Sequence, residues 1–225
     1  MPPHAFLFDM DGLLIDSERV YAAVARDILV PQGHAADSVS AFFLTLVGVS
    51  GAESVQMLTT FLGDPAKAAA FNADWHAGVA QRLQQDVPLR PTVRDALATL
   101  GGQGARMAVV TSTNGDSARR YLEQVGLLPL FEVVLGGDEV SARKPDPAPY
   151  IEAAAALGLD PGLCAAFEDS DHGITAAARA GCRAVQVPDM RPPGVPLPDL
   201  GQGVAGDLST AIKMVGGFAA EIRAE

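Results

Sequence analysis

The sequence predicts an α/β protein, a Rossmann-like parallel sheet core with an inserted all-helical domain. Two observations predict it. From about residue 88 onward, short apolar runs alternate with helical patterns, as βαβ units do. One further apolar run, Ala5 to Phe8, stands alone ahead of them, cut off by a block patterned as helix throughout. The expected division is residues 1–16 and 88–225 for a discontinuous core and 17–87 for the insert.

Ala5 to Phe8 reads as a buried strand ending at Asp9, with a turn at Gly12. Ser17 to Val30 is helical, and Pro31 and Gly33 close it. Asp37 to Leu46 is a second helix. Ser50 and Glu53 form a capping box for a third, Gly51 to Leu62. Pro65 suits the first turn of a fourth, which runs to about Leu83. Trp75 is expected in the packing of that block and His76 on its solvated face.

Past Pro88 the expected order is helix Pro91–Leu100, strand Arg106–Val110, helix Asp116–Val125, strand Val133–Leu135 and helix Pro147–Leu157. Strand Cys164–Phe167 follows, then a helix capped by Ser170 that reaches Ala180, and strand Ala184–Val187. A Pro/Gly-rich loop, Pro188 to Gly203, leads to a closing helix near Leu208–Ile222.

The 225 residues carry a formal net charge of −11, which argues against nucleic acid as a partner, since basic patches supply most of that affinity. The only cysteines, Cys164 and Cys182, match no metal or redox spacing and read as buried thiols of a reducing, cytoplasmic compartment. Neither a signal peptide nor a membrane span is expected. The expected assembly is a monomer or a weak dimer.

In a parallel sheet, ligands bind at the carboxyl ends of the strands. Here those ends carry Asp9-Met10-Asp11-Gly12, Thr111-Ser112-Thr113-Asn114 and Glu168-Asp169-Ser170, with Lys144-Pro145 between the last two. Residues two apart in extended chain point the same way, so Asp9 and Asp11 face one small volume. With Glu168 and Asp169 added, crowded carboxylates demand a hard cation, and Mg2+ is the natural choice. Lys144 would keep a nucleophilic carboxylate ionised and offset charge on a transferring group. Thr111, Ser112, Thr113 and Asn114 would cradle phosphate oxygens. His172 stands beside the last motif; His4 and His34 carry no signal.

Taken together these segments resemble the haloacid dehalogenase superfamily, in its phosphatase and β-phosphoglucomutase-like branch. The match spans the chain: Phe8 to Gly12 with Asp16-Ser17-Glu18, Val109 to Ser112, Lys144 to Pro147, and Glu168 to Ser170 with Gly173. The resemblance implies that the helical insert is a cap closing over the site and that an aspartyl-phosphate forms on a small phosphorylated metabolite. Asp9 would be the nucleophile and Asp11 the acid/base. Asp9, the backbone carbonyl of Asp11 and Asp169 would hold magnesium, with Glu168 supporting it through water.

Three rivals differ in testable ways. A β-phosphoglucomutase-type mutase needs a cap arginine after Gly48-Val49-Ser50 and a histidine on the first cap helix; this chain has Gly51 and Tyr21 there. A haloalkanoate dehalogenase has no use for Asp11 or for Glu168-Asp169. A non-catalytic binding protein has no need of all four motifs.

Overall fold

The computed structural model describes residues 2–47, 49 and 51–217. Six parallel strands form one sheet in the order β3-β2-β1-β4-β5-β6. They are β1 (Ala5–Phe8), β2 (Arg106–Val110), β3 (Val133–Leu135), β4 (Cys164–Glu168), β5 (Arg183–Gln186) and β6 (Gly203–Val204). The helices are α1 (Ser17–Leu29), α2 (Ala36–Leu46), α3 (Gly51–Leu62), α4 (Pro65–Gln85), α5 (Val93–Gly102), α6 (Gly115–Gln124), α7 (Ala148–Ala156), α8 (Asp171–Arg179) and α9 (Leu208–Met214).

β1 is central because it is apolar on both faces, and all four of its residues are buried. It pairs with β2 on one side and β4 on the other, with Phe8 opposite Val109 and Phe167. This register brings the three strand ends level. On one face Phe8 stacks on Phe167 with ring centroids 5.1 Å apart and meets Phe131 edge-on at 6.1 Å. On the other, Ala5, Leu7, Ala108, Val110, Cys164 and Ala166 pack with Tyr150, Ala153 and Ala154 of α7 and with Ile174 and Ala177 of α8. Alanine lets those helices approach closely, and burial there releases about 25 cal/mol per Å2 of apolar surface.

The contacts divide the chain into two compact units: Met1–Ile15, Leu89–Asp189 and Leu197–Glu225 in one, Asp16–Pro88 with Met190–Pro196 in the other. The chain passes from the first to the second and back through adjacent stretches. Ile15 bridges Leu89, the Arg90 N–H donates to the Leu14 carbonyl at 3.0 Å, and the Asp16 N–H donates to the Pro88 carbonyl at 2.8 Å. Arg90 also makes an ion pair with Asp189 at 2.5 Å, within the sheet unit.

The second unit is built on α1–α4. Its centre is Trp75, which stacks on Phe71 and meets Tyr21 and Phe43 edge-on. Its indole N–H donates to the Tyr21 carbonyl at 2.8 Å, which satisfies the one polar atom such burial would strand. Asp64 caps α4 by accepting from the Ala66 and Lys67 N–H groups, with Pro65 in the first turn. His76 is exposed, as expected.

Several expectations are corrected. The closing helix stops at Met214, because Gly216 takes φ +73° and the Gly217 N–H turns back to the Ile212 carbonyl at 2.9 Å; residues 218–222 lie outside the described residues. α5 starts at Val93, two residues later than expected, because Thr92 sits at φ +67°. β6 was not anticipated. Ser50 of the capping box lies outside the described residues. Among the described residues no helix is long and apolar enough to cross a membrane. Both cysteines are buried and unpaired as a disulfide.

Candidate active site

The first site segment leaves the sheet at Asp9, whose N–H still donates to the Phe167 carbonyl at 3.0 Å. The Met10 carbonyl then accepts from the Leu14 and Ile15 N–H groups, both at 2.9 Å, so the chain must turn at Asp11-Gly12. Gly12 makes that turn at φ +78°, and a Cβ there would lie 2.2 Å from Asp169 Oδ2. Only glycine satisfies both conditions.

Asp11 is turned towards the end of β2. Its Oδ2 accepts hydroxyl bonds from Thr113 at 2.7 Å and Thr111 at 3.2 Å. The Thr111 hydroxyl also accepts from the Thr113 N–H at 3.1 Å. Ser112 is exposed beside them. Asn114 is differently employed. Its side chain caps α6 by accepting from the Ser117 N–H, and its amide donates to Asp138 Oδ2 at 2.6 Å. These two bonds hold the Asn114 side chain at the start of α6.

From β4 come Glu168 and Asp169. Glu168 is fully buried and Asp169 is 6% exposed. Ser170 caps α8 through the Gly173 N–H at 3.1 Å. Gly173 leaves room for Glu168, since a Cβ there would come within 1.9 Å of Glu168 Oε2.

Lys144, preceding a cis peptide bond to Pro145, joins these segments. Its ammonium donates to Asp9 Oδ1 at 2.6 Å, Glu168 Oε1 at 2.6 Å and the Val110 carbonyl at 2.8 Å. All three of its N–H bonds are thereby matched. Burial pulls the ammonium's pKa down, but Asp9 and Glu168 outweigh burial and hold it above the ordinary lysine value. Burial pushes the Asp9 carboxyl well above the usual carboxylate range; Lys144 pulls it back, while Glu168 and Asp11 push it further up.

The sequence reading missed Tyr150. It is fully buried on α7, and its hydroxyl donates to Glu168 Oε1 at 2.5 Å. The available signal was a tyrosine one helical turn past Lys144-Pro145-Asp146-Pro147 in a run otherwise rich in alanine. Burial first, then the nearby Glu168 and Asp9 charges, push its pKa well above the ordinary tyrosine value, so it remains a donor.

Carboxylate oxygens of Asp9, Glu168 and Asp169 lie within 4.8 Å of one another. These are hard oxygen donors, buried, and one ammonium does not balance three carboxylates. Such a set fits a small divalent cation. The Asp11 carboxylate stands outside this trio, on the two threonine hydroxyls.

Comparison with known proteins agrees with this geometry. The chain is 35% identical over 189 residues to validoxylamine A 7'-phosphate phosphatase of Streptomyces hygroscopicus subsp. limoneus, covering 78% of this chain and 81% of that protein. It is 34% identical over 183 residues to a phosphoglycolate phosphatase of Rhodobacter capsulatus, covering 79% and 80%. A crystal structure from Haemophilus somnus, described as a predicted phosphoglycolate phosphatase, shares the fold with TM-score 0.77 and 23% identity, covering 94% of this chain and 97% of that one. The sequence model of the haloacid dehalogenase-like hydrolases matches residues 6–187, from β1 to the residue after β5, and the chain belongs to that family.

Proposed function

We propose that the protein is a magnesium-dependent phosphatase that hydrolyses a small phosphate monoester, a sugar phosphate being one class, through an aspartyl-phosphate on Asp9. The observation that carries this reading is the single ammonium of Lys144 shared at 2.6 Å between Asp9 and Glu168, beside Asp169. The two curated relatives described above are phosphatases of small phosphorylated metabolites by name.

In this reading an Asp9 oxygen attacks phosphorus and the bond from phosphorus to the ester oxygen breaks. Asp11 gives its proton to the departing alcohol. It then takes a proton from water, whose oxygen attacks phosphorus and frees Asp9. The Thr111 and Thr113 hydroxyls aim the Asp11 carboxylate. In this reading Thr111 and Ser112 would receive phosphate oxygens. Lys144 orients Asp9 and offsets phosphoryl charge. Asp9 and Asp169, with the backbone carbonyl of Asp11, would hold magnesium. Glu168 would support it from behind, since its Oε1 already serves Lys144 and Tyr150. Bound magnesium would screen the charge of the carboxylates and of the incoming phosphate.

We assign the α1–α4 unit the role of a cap that closes over the site and selects the substrate. A cytoplasmic setting agrees with two buried free thiols. Water is the final phosphoryl acceptor in this account, because Gly51 and Tyr21 replace the arginine and histidine of the mutases.

The test is phosphate release from a panel of phosphorylated sugars and carboxylic acids, with and without chelator. Release from at least one, abolished by chelator and restored by magnesium, is expected. Full activity without metal would contradict the mechanism.

A further inference from the structure

We propose that Tyr150 is a positioning residue for the nucleophile: its hydroxyl holds Glu168 so that Lys144 is shared between Glu168 and Asp9. The inference rests on the phosphatase reading above and adds a residue that reading does not require.

A phenylalanine would fill the space of the Tyr150 ring, so packing alone does not explain the hydroxyl. A buried hydroxyl must find a partner, and this one takes Glu168 Oε1, which also accepts from Lys144 at 2.6 Å. The ring lies 5.3 Å, centroid to nitrogen, from the same ammonium. Two donors therefore meet on one carboxylate oxygen, and the second arm of the ammonium reaches Asp9 Oδ1. If the hydroxyl is removed, Oε1 is left to Lys144 alone. The ammonium then settles on Glu168, and Asp9 loses part of its hold. Glu168 also loses its tie to α7 and keeps, among the described residues and besides Lys144, only the 3.4 Å bond that Oε2 accepts from the Ser170 hydroxyl. Partners of this kind, one bond behind a metal or a nucleophile, typically change metal affinity or activity by about 10–100-fold when removed.

The experiment compares wild type, Tyr150→Phe and Leu157→Val. Leu157 follows α7 directly and is buried in the same core but touches none of these groups by hydrogen bond. Magnesium binding to chelator-treated protein is measured by calorimetry, and kcat, KM and Tm are measured alongside. Tyr150→Phe is expected to weaken magnesium binding about tenfold and to lower kcat about tenfold, with KM within twofold of wild type. Leu157→Val is expected to lower Tm alone. Magnesium affinity and kcat within twofold of wild type in Tyr150→Phe would overturn the proposal, whatever happens to Tm. A wild-type protein that neither binds magnesium nor releases phosphate would instead remove the phosphatase reading, and this inference with it.

Discussion

Lys144 Nζ lies 2.6 Å from Asp9 Oδ1 in a pocket where the lysine side chain is only 6% exposed. The pair does two things at once. It keeps a buried carboxylate from standing alone in a low dielectric, and it fixes which oxygen of Asp9 is free to react.

Removing Lys144 should therefore damage both stability and turnover. Lys144→Ala leaves Asp9 and Glu168 buried without their common partner, and breaking such a pair costs about 3–5 kcal/mol. Loss of a preorganised charge at a reacting group lowers kcat by about 10²–10³-fold. Denaturant unfolding and steady-state kinetics measure the two. A variant with wild-type kcat would show that the lysine is structural only.

The two glycines under the carboxylates make a second prediction. Gly12→Ala places a Cβ 2.2 Å from Asp169 Oδ2 at φ +78°, and Gly173→Ala places one 1.9 Å from Glu168 Oε2. Each should cost about 1–3 kcal/mol and raise the magnesium concentration needed for half activation, because the displaced group is an acidic one. Unchanged magnesium activation in both would show that these carboxylates do not serve a cation.

The third prediction concerns pH. In the metal-free protein the Asp9 carboxyl is raised, mainly by burial, above its unfolded value. The native state then binds more protons than the unfolded state between the two values. Its contribution to stability is present below the ordinary carboxylate range and is lost as pH rises through the raised value. A cation that binds the ionised form competes with that proton. The rise in Tm on adding magnesium should thus be larger at pH 8 than at pH 5. A rise independent of pH would separate Asp9 from the cation.

Much of this was legible in the sequence, and the reasons are physical. A strand such as β1, apolar on both faces and followed by Asp9 and Asp11, states its burial and its polar end in the seven residues from Ala5 to Asp11. Ser170 as a cap and Gly173 three residues later fix the start of α8 locally. What stayed hidden depends on long-range partners. β6 has two residues, too few to show a period, and exists because β5 offers it an edge. The bond from Asn114 to Asp138 was not legible because its two ends lie 24 residues apart. Tyr150 went unnoticed because its hydroxyl partner, Glu168, lies 18 residues on at the end of β4. Nothing in the composition of Met190–Pro196 tells that it groups with the helical unit.

The central claim is that Asp9 carries the phosphoryl group. Asp11→Asn keeps the nucleophile but lacks the base that activates water, so with an aryl phosphate, whose leaving group needs little protonation, the acyl-phosphate should accumulate. The measurement is acid quench of that variant with an aryl phosphate, followed by reduction with tritiated borohydride, which expels the phosphate and turns the acyl-phosphate into a tritium-labelled homoserine, and then peptide mapping by mass spectrometry. The account predicts one label per chain on the peptide containing Asp9, and none in the Asp9→Asn/Asp11→Asn double variant. A label on another residue, or undiminished turnover in Asp9→Asn, would contradict it.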